Sequence, residues 1–243
     1  MTGLFLSRAR LQAGRGEALS AIAPLLIPDD KKQQAGHAHR VLWLLFQDIL
    51  DTKRDFLWRD EGDGRYMILS QRPPTDPHKL FELATKPFAP ELSVGDRLAF
   101  SMRANPVIAS KPARAAAEHG TRARGQKVDV VMHALKDVPK TNWDAKTGRA
   151  FERDQIASKA GGDWLAAQGA KAGFRFAPDT LPLVDGYAQI PVERKKGRPA
   201  GFSVLDFKGV LEITDPAAFV AKLTTGFGSA KAFGNGLMLI RRA

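Results

Sequence analysis

The chain has 243 residues, of which 44% are hydrophobic, and this is enough for one large domain or two small ones. No stretch approaches the ~20 consecutive apolar residues of a membrane-spanning helix, and the first residues lack the charged start and apolar run of a signal peptide. The absence of cysteine excludes disulfides, thiolate metal ligands and cysteine nucleophiles. We therefore expect a cytoplasmic protein with no membrane partner.

Positive charge is concentrated in the second half of the chain, and the formal net charge is +11. Residues 1–108 hold 15 Lys and Arg against 13 Asp and Glu, whereas residues 109–243 hold 22 against 13. A basic half favours a polyanionic partner, and nucleic acid is the commonest one. A soluble protein that is merely basic is the alternative.

The first half predicts the order β-α-β-β-α-β, which is the ferredoxin-like motif. The predicted helix at 34–50 is apolar over most of its circumference and is therefore expected to be largely buried. We assign strands to residues 4–11, 56–58, 66–69 and 97–103, helices to 34–50 and 78–85, and a hairpin turn to 60–64.

The second half predicts a modified repeat of the same architecture after a loose basic segment at 109–126. We assign helices to 128–135, 153–171 and 215–225, and strands to 175–176, 187–193, 202–213 and 237–240. Thr214 or Asp215 is a suitable cap for the helix that begins near Pro216. The predicted fold is therefore α+β, with two tandem ferredoxin-like (RRM-like) domains at 1–108 and 109–243.

A glycine-rich segment at 226–236 contains Gly226, Gly228, Ser229, Lys231, Gly234 and Gly236. Glycines permit positive φ and close backbone approach, and exposed N–H groups beside a lysine suit a phosphate backbone. Dinucleotide and P-loop fingerprints need a strand before the loop and a helix after it, and here the order is reversed. The alternative is a turn that only joins a helix to a strand. We favour RNA contact, and expect valine at Gly234 to impair RNA binding more than folding.

Two of the five histidines, His37 and His39, stand near the start of the predicted helix at 34–50. They point ~200° apart on a helix and would not chelate one metal together, and no other pair has metal-ligand spacing. The positive end of a helix favours neutral imidazole, which a general base requires. The alternative is that either histidine is an ordinary helix residue.

Several segments, in order along the chain, resemble the CRISPR-associated endoribonucleases called CasE, the RNA-processing subunits of type I-E Cascade. His39 begins the segment HRVLWLLF, which is similar to the family pattern H-x-x-L-W-x-L-F. Further similar segments lie at 54–59, 98–106 and 207–213, and the glycine-rich segment matches G-x-G-x-x-K-x-x-G-x-G-L.

This resemblance implies two ferredoxin-like domains that cleave the CRISPR repeat hairpin without a metal or other cofactor. A ribose 2′-hydroxyl attacks the adjacent phosphate, which gives a 2′,3′-cyclic phosphate and a 5′-hydroxyl. The family's catalytic histidine falls on His39. Some relatives carry a catalytic tyrosine three residues earlier, where this chain has Gly36, so His37 and Lys231 become candidates for the second acid or base.

The resemblance also implies that a basic hairpin enters the groove of the repeat stem, since A-form RNA is recognised by its shape and backbone. That hairpin falls on Arg194, Lys195, Lys196 and Arg198. The further RNA-binding candidates are Arg40, Arg103, Lys111, Arg114, Arg122, Arg124, Gly226, Gly228, Ser229, Gly234 and Gly236. The implied partners are CRISPR repeat RNA, its mature crRNA product and other Cascade subunits. Two alternatives remain, a non-catalytic RNA-binding subunit on the same scaffold and a metal-dependent phosphodiesterase.

Overall fold

The structure is a computed structural model, and it describes residues 3–12, 31–47, 54–109, 127–137, 148–177, 180–192 and 200–243. Four antiparallel strands and one helix form a first unit. Its elements are β1 (Phe5–Leu11), α1 (Lys31–Trp43), β2 (Phe56–Gly62), β3 (Arg65–Ser70) and β4 (Phe81–Pro87). The sheet order β2-β3-β1-β4 is that of a ferredoxin-like sheet, and the predicted hairpin at 60–64 is confirmed.

One predicted element of the first unit is wrong, and another has different bounds. Residues 78–85 do not form a helix, because Asp76 accepts hydrogen bonds from the backbone N–H groups of Leu80 and Phe81 and so holds a turn. The chain then enters β4, which pairs with β1 along its whole length. The helix predicted at 34–50 begins earlier, at Lys31, and gives way to a 3₁₀ turn at Leu44–Phe46.

A second unit contains the remaining strands and helices. Its strands are β5 (Arg97–Ala104), β6 (Val107–Ala109), β7 (Lys127–Asp129), β8 (Phe174–Arg175), β9 (Leu183–Val192), β10 (Ala200–Ile213) and β11 (Met238–Arg242). Its helices are α2 (Val130–Ala134), α3 (Gly148–Ala172) and α4 (Pro216–Thr225). The main sheet has the order β11-β5-β10-β8, with β9 also paired to β10, while β6 and β7 form a separate ribbon.

The sequence predicted that β5 is the last strand of the first unit. This is wrong, because β5 pairs with β10 and β11. It is instead the first strand of the second sheet. The division at residue 108 stays a prediction, and on the basis of this pairing we propose a division before Arg97.

The first sheet buries both of its faces, which explains the continuous apolar run at the start of β2. Phe56 and Trp58 join a core cluster beneath α1. Leu57 and Leu69 point the opposite way, as alternation along a strand requires, and join the core of the second unit. The two units therefore pack against each other through the first sheet.

The helix α4 follows its predicted end signals. Asp215 caps it by accepting a 3.0 Å hydrogen bond from the backbone N–H of Ala218, and Pro216 occupies the first turn. No helix within the described ranges is both long and apolar enough to cross a bilayer.

Candidate active site

His39 lies in the interior of α1, as the ninth of its 13 residues. The helix dipole acts within the first and last turns, so the predicted dipole effect on this imidazole is wrong. The ring is half-buried and packs against Trp43 and Phe56, with ring-centroid distances of 6.1 and 6.2 Å. Aromatic contacts therefore hold the imidazole against the first sheet.

Neither ring nitrogen of His39 is free to accept a proton in this conformation. The indole N–H of Trp43, one turn further along α1, donates a 3.1 Å hydrogen bond to Nε2. Nδ1 is buried and has no hydrogen-bond partner among the described residues. Because an indole nitrogen only donates, Nε2 carries the lone pair and the neutral ring carries its proton on Nδ1.

The environment of His39 favours the neutral imidazole. Burial, followed by the positive charge of Arg54, lowers its pKa below the ordinary value of 6.5. A lowered pKa leaves the ring uncharged at pH 7, in the form that a general base requires. The sequence also predicted a neutral His39, but on the basis of the helix dipole. The causes are instead burial and the charge of Arg54.

Arg54 and Lys231 give the site its positive charge. Arg54 lies two residues before β2 and interacts electrostatically with both His39 and Lys231. Lys231 is half-buried in the 3₁₀ turn Lys231–Phe233, against which α1 packs. Burial and then neighbouring cations, of which Lys222 acts most strongly, lower the pKa of Lys231. A half-buried cation cluster of this kind suits a phosphate that gains charge during reaction.

Arg54 and Trp43 are the two residues of this site that sequence reasoning did not assign. Trp43 had a signal, because a residue four positions after His39 lies on the same face of a helix. Arg54 belongs to the family-like segment at 54–59, but its position beside His39 depends on how β2 packs beneath α1.

His37 and Gly36 occupy the same helix as His39. His37 lies about 200° around the helix from His39, so the two imidazoles face different sides. A side chain at Gly36, one turn before His39, would meet no other atom within 4 Å of its Cβ. The structure therefore leaves open space for a Cβ at position 36.

The glycine-rich segment is bound to the protein's own backbone. The N–H of Gly236 donates to the carbonyl of Arg103 at 2.7 Å, and the N–H of Ser229 donates to the carbonyl of Asn105 at 3.1 Å. The buried Asn235 donates its side-chain amide to the carbonyls of Ala230 and Phe233, each at 3.2 Å. These bonds tie the segment to β5 and fix the turn that carries Lys231.

The glycines of this segment face protein on the side where a side chain would stand. All four have positive φ, and a Cβ at Gly234 would lie 2.8 Å from the ring of Trp58. A Cβ at Gly226 would lie equally close to Leu57, and Cβ atoms at Gly228 and Gly236 would meet backbone carbonyl oxygens. Glycine at these positions is therefore required for the segment to pack, whereas contact of the segment with RNA stays a prediction.

The other RNA-binding candidates lie on different elements of the structure. Arg40 is exposed on α1. Arg103 donates two hydrogen bonds, of 2.8 and 2.6 Å, to the carboxylate of Asp206, which raises the pKa of Arg103 and offsets its charge. Ser229 accepts a 3.1 Å hydrogen bond from Lys127, an exposed lysine that the sequence analysis did not assign. The candidates Lys111, Arg114, Arg122, Arg124, Arg194, Lys195, Lys196 and Arg198 lie outside the described residues.

The strands on either side of the basic segment at 194–198 belong to the described residues. Strands β9 and β10 are antiparallel, with Val192 opposite Ala200, and α1 contacts β9. The strand that leads to the basic segment is thus a neighbour of the helix that carries His39. Within the described ranges, no three His, Asp or Glu side chains come together as a set of metal ligands.

Comparison with known proteins places the chain in a family. A family model described as "CRISPR associated protein" matches residues 4–242. The CRISPR system Cascade subunit CasE of Escherichia coli (strain K12) is 25% identical over 205 residues, which cover 82% of this chain and 88% of that protein.

Solved structures share the fold at lower identity. The CRISPR endoribonuclease Cse3 bound to a 19-nucleotide RNA superposes with a TM-score of 0.64 at 22% identity, covering 98% of this chain and 99% of the other. Thermus thermophilus Cse3 bound to an RNA that represents a pre-cleavage complex gives 0.63 at 22% identity, with the same coverage. These proteins share the tandem ferredoxin-like arrangement that the two sheets here display. The match over residues 4–242 shows that the chain belongs to the family of CRISPR-associated proteins.

Proposed function

We propose that the protein is an endoribonuclease that cleaves CRISPR repeat RNA through attack by a ribose 2′-hydroxyl, without a metal ion. The observation that carries the proposal is a half-buried His39 on which Arg54 acts, on a helix that packs against the turn carrying Lys231, which also interacts with Arg54. The CRISPR endoribonuclease Cse3 bound to a 19-nucleotide RNA and Thermus thermophilus Cse3 bound to an RNA that represents a pre-cleavage complex support the substrate class.

The reaction requires three kinds of group, and the site offers a candidate for each. His39 accepts the proton of the 2′-hydroxyl on Nε2 as the oxygen attacks phosphorus. Arg54 stabilises the charge that develops on the phosphorane oxygens. Lys231, whose lowered pKa makes its ammonium a better acid than a free lysine, donates a proton to the 5′-oxygen as the P–O5′ bond breaks. The products are a 2′,3′-cyclic phosphate and a 5′-hydroxyl.

The basic second half of the chain supports binding of the repeat stem, with the segment at 194–198 as the candidate for contact with its groove. We further propose that the protein keeps its cleaved RNA within a Cascade complex, since one relative is a Cascade subunit. Both statements rest on charge and family membership.

One observation favours the second candidate function, a non-catalytic RNA-binding subunit. Neither nitrogen of His39 is available in this conformation. The resemblance to CasE also implies a catalytic tyrosine in some members at the position that is Gly36 here. Binding without cleavage would be the result if His39 never becomes accessible.

Cleavage of a labelled repeat RNA under single-turnover conditions in EDTA tests the proposal. We expect a product that ends in a 2′,3′-cyclic phosphate, at a rate unaffected by the chelator. Binding without cleavage would support the second candidate, and cleavage only after Mg²⁺ is added would indicate the metal-dependent alternative.

A further inference from the structure

The hydrogen bond from Trp43 covers Nε2 of His39 in the free protein. Its length is 3.1 Å, and the two rings lie at 72° to each other, so the indole edge points at the imidazole. Trp43 is itself held by an edge contact with Phe56, at a centroid distance of 5.3 Å. The bond is therefore supported from β2 as well as along α1.

This bond has a chemical consequence for a general base. The indole N–H is a donor without an acceptor function, so it occupies the one lone pair that His39 could use to accept a proton. The other nitrogen, Nδ1, is buried and unpartnered among the described residues. A hydroxyl that approaches His39 must displace the indole N–H and then donates to the same atom.

We propose that Trp43 is a positioning residue that holds His39 in its Nδ1–H tautomer and covers Nε2 until the 2′-hydroxyl of the RNA replaces the indole N–H. The proposal rests on the proposed function for its RNA step. The tautomer and the covering of Nε2 are properties of the free protein and are independent of that step.

The charged groups near His39 act on it electrostatically, whereas Trp43 forms a hydrogen bond with its ring. The charge of Arg54, in the segment before β2, acts on the ring, and Lys231 in the 3₁₀ turn interacts with Arg54. On α1 the adjacent charge is Arg40, which is exposed, and β9 carries Asp185, whose charge acts on Arg103. No carboxylate among the described residues shifts the pKa of His39.

The first experiment uses ¹⁵N NMR of the imidazoles in the free protein. We expect His39 to show a protonated Nδ1 and an unprotonated Nε2 at pH 7. In Trp43→Phe the pKa of His39 should rise by about half to one unit, because a hydrogen bond to the lone pair stabilises only the neutral ring. An unchanged pKa, or a proton on Nε2 in the wild type, would overturn the proposal.

A matched control and an isosteric variant guard against loss of packing. Trp58→Phe removes another buried indole N–H that has no partner among the described residues, and it should leave the pKa of His39 unchanged. If Trp43→Phe does not fold, replacement of Trp43 by 3-benzothienylalanine keeps the ring shape and removes only the N–H. An unchanged pKa in that variant contradicts the proposal equally.

The second experiment measures single-turnover cleavage against pH. In Trp43→Phe the acidic limb should move to higher pH by the shift seen in NMR. A rate lowered equally at every pH would show a purely structural role. Failure of the wild type to cleave would count against the proposed function, and the NMR titration would still decide whether Trp43 covers Nε2.

Discussion

Gly234 lies against the face of the Trp58 ring, and a Cβ at Gly234 would stand 2.8 Å from ring atom Cζ3. Its φ of 77° belongs to the left-handed region, so two separate restrictions select glycine at this position. This contact joins the glycine-rich segment of the second unit to β2 of the first. It therefore fixes where Lys231 stands relative to the first unit.

Gly234→Val should unfold the protein at lower temperature rather than merely weaken RNA binding. Left-handed strain and overpacking against Trp58 together predict a loss of about 2–5 kcal/mol. Thermal melting and a repeat-binding titration check this. Gly36→Val is the matched control, because position 36 is helical and open, and its melting temperature should hardly change. A stable Gly234→Val variant with poor RNA binding would restore the original expectation.

His39→Ala should slow single-turnover cleavage in EDTA by roughly 10²–10⁴-fold, the usual contribution of a general base, with little change in RNA affinity. His37→Ala is the matched control on the same helix and should lose less, because it faces another side. A His39→Ala enzyme within a few-fold of the wild type would remove His39 from the mechanism. A larger loss in His37→Ala would move the role to that residue.

The pH dependence of cleavage follows from the lowered pKa of His39. The base works only when neutral, so the rate should hold below pH 6.5 and fall as pH drops through the lowered pKa. Arg54→Gln should raise the midpoint, because it removes the neighbouring positive charge, and should also lower the plateau. Arg40→Gln, an exposed arginine on α1, is the control and should not move the midpoint. An acidic limb centred above pH 6.5 in the wild type would contradict this assignment.

The same shift links pH to folding. The unfolded chain protonates His39 near pH 6.5, whereas the folded chain resists protonation until a lower pH. Stability from this group is therefore complete above pH 6.5 and is lost as pH falls towards the folded pKa. His39→Gln should reduce the dependence of the unfolding free energy on pH between 7 and 5.

Gly36→Tyr should accelerate cleavage if position 36 is the place of the second acid or base. The position is open and one turn before His39, and tyrosine is a better helix former than glycine. Gly36→Phe is the control that keeps the ring without the hydroxyl. Equal rates for the two variants would show that the hydroxyl does not reach the reacting atoms.

Lys195→Ala combined with Lys196→Ala tests the basic segment that lies outside the described residues. Loss of two phosphate contacts should weaken repeat binding and lower the slope of log K against log salt by roughly 1–2 units. Lys159→Ala on α3, where the lysine pairs with Asp163, is the control for a change of net charge. An unchanged slope would show that the basic segment does not contact phosphate.

Local signals in the sequence predicted the elements that depend on local chemistry. The hairpin after Trp58 was recoverable because turn residues follow an apolar run, and the cap at Asp215 was recoverable from its side chain and Pro216. The apolar residues at 81–85 suited either a helix or a strand, and pairing with β1 decided between them. Such pairing has no local signature.

The candidate site shows the same division. His39 was found through a family-like segment and Lys231 through its place among glycines, but the charge of Arg54 beside both arises only when β2 packs beneath α1. The positive φ values of the glycines were expected from composition. Their covering by Trp58, Leu57 and β5 required the tertiary structure.

The pairing of β11 with β5 also determines when the second sheet can form during synthesis. These strands are separated by more than half of the chain, and β11 follows the segment that carries Lys231. Ribosomal synthesis must therefore produce almost all of the described chain before the second sheet can close, and such distant pairing folds slowly. We expect nascent chains that end at Thr225 to lack repeat cleavage altogether, because they lack both Lys231 and β11. Detectable cleavage by a chain truncated at Thr225 would disprove this.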